Sequence, residues 1–186
     1  MLRNRLFLLL LSVLLTSCTA IKDIPSERIT KIEKTDFKKL NGKFSNYPSV
    51  SNGAMKSCVG LKFEPVSLWS QINGYRQFGT EDSIRLQYVT LDFVSKKKAI
   101  AKLWDNSELK TTKKIRGRIK QGYFYRRPYF VAVPLIPLLF GYNLRKYRIG
   151  ISDDSIVVDY RWDYWFFAIA SGNCEHGKSS SIYQRE

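Results

Sequence analysis

After residue 83 apolar and polar positions alternate through most of the chain, and a two-residue period predicts strands rather than helices. The clearest run sets Ile156, Val158, Tyr160, Trp162, Tyr164 and Phe166 against Val157, Asp159, Arg161 and Asp163. Ahead of it Tyr147, Ile149 and Ile151 alternate with Lys146, Arg148 and Gly150, and Ser152-Asp153-Asp154-Ser155 between the two has turn composition. Ile84, Leu86 and Tyr88 share one parity while Val89, Leu91 and Phe93 share the other, which predicts a bulge near Tyr88. A Ser95–Lys98 turn leads to a strand over Ala99–Trp104. Next comes a long polar strand over Glu108–Lys120, with Ile115 and Ile119 on its inner parity. Gln121-Gly122 turns the chain into Tyr123-Phe124-Tyr125 and then Tyr129–Val133, and Ser181–Gln184 closes the set.

The period changes nearer the N-terminus. Leu68, Trp69 and Ile72, at i, i+1 and i+4, predict one or two helical turns plugged against a core. Residues 18–36 are polar with sparse Ile and form a tether; Ile29, Ile32, Phe37 and Leu40 are too loosely spaced for more than a transient helix. The domain occupies 37–186, opening on Leu40-Asn41-Gly42-Lys43-Phe44. Seven or eight strands with short turns and no βαβ alternation predict a mainly β, antiparallel up-and-down meander. Closing it into a barrel of about eight strands with one short helix is the cheapest way to remove both edges.

Residues 1–17 carry a different signal. Arg3 and Arg5 precede a nearly continuous Leu, Phe and Val run over Leu6–Leu15. Ten helical residues rise about 15 Å, half of the roughly 30 Å hydrocarbon core, so this helix is a cleaved export signal and no span. Leu15-Thr16-Ser17-Cys18 resembles the bacterial lipoprotein box, an aliphatic residue and two small ones before Cys. That resemblance implies cleavage before Cys18 and a lipid on its thiol, the membrane partner of the chain. Thr19 in the next position implies an outer-membrane lipid anchor. The motifs LNGKF, SLW, GRIKQGYF and the last strands resemble the lipocalin-like (calycin) lipoproteins of Gram-negative bacteria, which implies a β-barrel and little about its ligand.

Export changes what the charge means. A net charge of +15 in a cytosolic chain would suggest nucleic acid. Behind a membrane the abundant polyanions are lipid headgroups and envelope polymers, so nucleic acid is not expected as a partner. Lys96, Lys97, Lys98, Lys113, Lys114, Arg116, Arg118 and Lys120 predict a basic face, with Arg126-Arg127 and Arg145-Lys146-Arg148 adding to it. With Cys18 used for lipid, Cys58 and Cys174 form an even pair in a disulfide-permitting compartment, and a bond between them is expected. Two buried free thiols are the alternative.

Enzyme chemistry finds little support. Gly172-Asn173-Cys174-Glu175-His176-Gly177-Lys178-Ser179 fits G-x-x-x-x-G-K-[ST], but that loop needs a following helix to hold phosphate, and only seven residues remain. His176, the one histidine, reads as an exposed turn residue, and no four-ligand metal set has suitable spacing. Asp153, Asp154, Asp159 and Asp163 read as solvated turn and strand-face charges. The expectation is a non-enzymatic envelope protein without cofactor. It binds an apolar small ligand in the barrel through Trp69, Trp104, Tyr160, Trp162, Tyr164 and Phe166. Its alternative is an interaction module with a packed interior, using the basic face and the apolar Pro134–Phe140 loop toward an anionic envelope polymer or a protein.

Overall fold

A computed structural model describes residues 30, 32–33, 35–57, 66–73, 84–135, 139–168 and 171–186. The expected signal helix and lipid-attachment residue Cys18 lie outside these, as does Cys58. The described chain is mostly strand: β1 (Gly42–Ser45), β2 (Val50–Ser57), β3 (Gln87–Ser95), β4 (Lys98–Asp105), β5 (Glu108–Lys120), β6 (Tyr123–Arg126), β7 (Tyr129–Leu135), β8 (Leu139–Ser152), β9 (Ser155–Ala168) and β10 (Ser171–Gln184). A short 3-10 helix spans Phe37–Leu40, and one short α-helix, α1, spans Leu68–Asn73.

All strand pairs are antiparallel, in the order β1-β3-β4-β5-β6-β8-β9-β10-β2, with β7 on the edge of β8 beyond β6. The meander therefore holds from β3 to β10, while β2 leaves sequence order and takes the free edge of β10. The sheet curls into a half-barrel and not the closed barrel expected from the sequence. Two local causes keep it open. Because β2 occupies β10 from Glu175 to Ile182, only the last four residues lie beyond it, and among the described residues β1 meets them through an isolated Phe44–Arg185 bridge. On the other side β6 pairs with β5 only over Gly117–Lys120, and Pro128, which has no N–H for the ladder, follows Arg127 before β7 runs on along β8.

The turns follow their chemistry. Asn106-Ser107 and Gln121-Gly122 all have positive φ, the conformation that two-residue hairpins with right-handed twist require. The bulge expected near Tyr88 is absent, since β3 starts at Gln87; register shifts fall instead between Phe93 and Ser95 and between Leu103 and Trp104. The glycine-rich Gly172–Ser179 segment is neither a phosphate loop nor a turn but part of β10. Gly177 sits opposite Trp162, and a Cβ there would collide with the indole ring. Likewise Pro134 is accommodated because β7 pairs with β8 alone, where an edge strand tolerates a missing N–H.

Leu40, Phe44, Leu68, Ile72, Val89, Phe124, Ile149, Ile156 and Tyr183 are fully buried and fill the base of the half-barrel. Helix α1 closes it from within and is held at both ends. Ser67 Oγ accepts from Ser70 N, and Asn46, itself fully buried, accepts from Trp69 N at 2.8 Å and from Leu68 N at 3.0 Å, satisfying first-turn amides. At the other end Arg126 donates to the Ile72 carbonyl at 2.9 Å and Lys113 to that of Asn73 at 2.9 Å, cations where the helix dipole is negative.

Candidate functional site

β5 alternates cleanly. Ile115 and Ile119 face the core, so Lys114, Arg116, Arg118 and Lys120 project together from the convex side, all exposed. Lys98, at the start of β4, lies directly opposite Arg116, and Lys96 and Lys97 occupy the preceding turn. Lys113 departs from the expected basic face. It has the inner parity and donates to Asn73 Oδ1 at 2.6 Å as well as to the carbonyl. Burial, and then the nearby Arg126 guanidinium, hold its ammonium below the usual lysine range.

Where β5 and β6 part, the break after Arg126 opens a cleft of about 380 Å³. Lys97, Arg118, Arg126, Arg127 and Lys146 line it, with Gly117, Tyr125, Pro128 and Tyr147 between them. A neighbouring hollow shares Lys97, Gly117 and Arg127 and adds Lys98 and Arg116. Among the described residues no carboxylate lines either space. The backbone fixes the rim: Gly117 N donates to the Lys97 carbonyl and Arg127 N to that of Arg116, each at 3.0 Å. The expected basic face includes Arg127 and Lys146, but its concave form depends on the broken ladder, which no short stretch of residues announces.

Of the six expected ligand-lining aromatics, five lie on the core side of the sheet and Trp104 does not. Trp69 is a buried core residue of α1, and Tyr160 is buried with Trp162 stacked on it at 5.4 Å. Tyr164 and Phe166 continue along the same face of β9, partly exposed. Trp104 belongs to the other face of the sheet, stacked on Tyr88 at 5.9 Å and donating to Thr90 Oγ1 at 3.1 Å. A small cleft of about 90 Å³ is bounded by Gln71, Asn73, Arg126, Tyr129, Asn143, Arg145 and Tyr160.

The carboxylates also fall differently from expectation. Asp153 and Asp154 are turn residues, but Asp159 is not a solvated charge beside Arg161: it is 1% exposed and accepts from Arg148 Nε at 2.7 Å across the β8–β9 ladder. Ser180 donates to its other oxygen at 2.8 Å, and the Arg148 guanidinium lies 4.0 Å from the Tyr123 ring centroid. Asp163 accepts from Tyr142 Oη at 3.0 Å; burial, and then that bond, push the Tyr142 phenol above its ordinary pKa. His176 is exposed, though in β10 rather than a turn. Among the described residues no three His, Cys, Asp or Glu side chains gather as a metal site would need.

Cys174 is disulfide-bonded, and its partner is outside the described residues, where Cys18 and Cys58 both lie. Ser57, the last residue of β2, pairs with Glu175. Non-reducing peptide mapping is expected to link Cys174 to Cys58. A link to Cys18 would instead remove the thiol that lipid attachment needs. No family model, curated protein or solved structure matches this chain.

Proposed function

We propose that this chain is a lipid-anchored, non-enzymatic interaction module of the outer membrane, held through Cys18, that binds anionic groups of an envelope polymer in the cleft between β5 and β6. The observation that carries this reading is the convergence of Lys97, Arg118, Arg126, Arg127 and Lys146 on one concave space, with no carboxylate among the described residues that line it. Guanidinium forks and ammonium groups suit phosphate and carboxylate oxygens, and a concave wall focuses the field they share. The filled base of the half-barrel favours this module over a barrel that holds an apolar ligand.

The test is binding to lipopolysaccharide and, as a chemically simpler polyanion, dextran sulfate. Reversing Lys97, Arg118 and Arg127 together to Glu is expected to weaken both by about tenfold or more, at roughly 1 kcal/mol for each basic residue near an anionic surface. Lys110→Glu, at a site already paired with Glu108 at 2.6 Å, serves as control with less than about a twofold change. Binding should also fall with ionic strength as the Debye length contracts. Equal binding by the triple variant and the parent would sink the proposal.

A further inference from the structure

The convex face of β7–β10 is organised in cross-strand rows. Lys146, Arg161 and Lys178 stand directly opposite one another on β8, β9 and β10. Two positions toward the hairpin ends the row is Leu144, Asp163 and His176, with Phe130 of β7 opposite Leu144. Tyr142 and Trp165 follow, then Phe140 and Phe167. The aromatic rings touch: Phe140 meets Trp165 edge-on at 5.3 Å, and Trp165 stacks on Phe167 at 6.2 Å. Yet they are not buried, for Phe130 is 61% exposed, Phe167 43% and Trp165 37%.

The row gathers three cations on one line of the sheet, and an apolar patch of this kind marks a surface that meets something. The two lie on one face in a fixed order, aromatic toward the hairpin ends and cationic behind. At about 3.3 Å per residue the Lys146 row is roughly 13 Å from the Trp165 row. Long basic side chains close part of that gap and bring their charges to within about a Debye length of the aromatic level. Trp and other aromatic rings favour the boundary between headgroups and acyl chains, and Lys and Arg favour the phosphate layer above it.

We propose that this face docks on the interfacial zone of a bilayer containing anionic lipid, with Phe140, Trp165 and Phe167 at the acyl boundary and Lys146, Arg161 and Lys178 against the phosphates. It uses a different surface from the β5–β6 cleft, apart from Lys146 at their border, and does not depend on what the cleft binds. A protein partner would also accept exposed aromatics. The three aligned cations are what select an anionic lipid surface.

The full chain, incorporated into vesicles of acyl-brominated phosphatidylcholine with phosphatidylglycerol, provides the test. Bromine quenches only tryptophans at acyl depth, so anchorage through the N-terminal segment does not mimic the signal. Emission is expected to be quenched in the parent, and Trp165→Phe is expected to abolish most of that quenching while Trp104→Phe retains it. Arg161→Glu with Lys178→Glu is expected to cut the quenching by more than half, and so is omission of phosphatidylglycerol. No quenching in the parent, as for a face that meets protein, overturns the proposal, as does undiminished quenching in Trp165→Phe. Insensitivity to both the charge reversals and phosphatidylglycerol overturns it as well, because the cation row is what selects an anionic surface. The Lys97, Arg118 and Arg127 reversals should leave the quenching unchanged, which separates this surface from the cleft.

Discussion

Asp159→Asn is expected to lower the unfolding free energy by about 3–5 kcal/mol, the usual cost of removing one partner from a buried ion pair. The Arg148 side chain is only 9% exposed, so its guanidinium would remain buried with its nearest counter-charge gone. What would be left is the Tyr123 ring beneath it at 4.0 Å and the Tyr125 hydroxyl at 3.2 Å, a neutral environment for a full charge. Equilibrium urea unfolding reads the loss directly, as a shift of midpoint at constant m-value. Ser180→Ala removes only one hydrogen bond to the same carboxylate and should cost about 1 kcal/mol. Converting both partners, Arg148→Met with Asp159→Leu, should recover more than half of the single-variant loss, because desolvation opposes much of what the pair contributes. A single Asp159→Asn variant as stable as the parent would mean that the pair is hydrated in solution.

Phe124→Ala is the other large effect, expected at about 3–5 kcal/mol by the same measurement. Phe124 is fully buried on β6, meets Phe93 edge-on at 4.9 Å, and lies where a side chain on Gly117 would otherwise stand. Truncation therefore empties a space bounded by β3, β5 and β6, at the site where the β5–β6 ladder is shortest. Phe124→Leu keeps most of the volume and should cost less, about 1–2 kcal/mol. Because the same break in the ladder forms the cationic cleft, Phe124→Ala should also weaken polyanion binding. Phe130→Ala, on exposed β7, should leave stability nearly unchanged.

Several elements are legible in the amino-acid sequence alone. The parity of Ile115 and Ile119, of Tyr147, Ile149 and Ile151, and of Ile156, Val158 and Tyr160 marks the buried face of three strands, and all eight residues are buried. The Gln121-Gly122 and Asp153-Asp154 turns and the Leu68–Asn73 helix are equally readable, since each is set by residues within one turn of one another. Other expectations fail for identifiable reasons. Strand β2 carries no alternating apolar pattern, and Gly172–Ser179 is rich in residues that disfavour strands. Each is a strand because it pairs with a neighbour, β2 on one edge of β10 and β9 on the other. Trp104 reads as inward by composition, but Ala99, Ala101 and Leu103 take the inner parity of β4, which leaves Trp104 on the other face, against Tyr88 and the Thr90 hydroxyl.

The sequence by itself determined the local geometry of this protein. A period of two commits a residue to one face of a strand wherever that strand lies, and backbone chemistry commits a turn. It also determined a surplus of cations that has to be solvated or met by an anion. Only the tertiary structure decided which charges become neighbours. Lys146, Arg161 and Lys178 form a row, Arg148 finds Asp159, and Lys97 meets Arg127. The order and register of the strands set these pairings, and both arise from contacts between segments far apart in the chain. The openness of the half-barrel has the same origin: it follows from where β2 inserts and where β5 and β6 part, and no short stretch of residues encodes either.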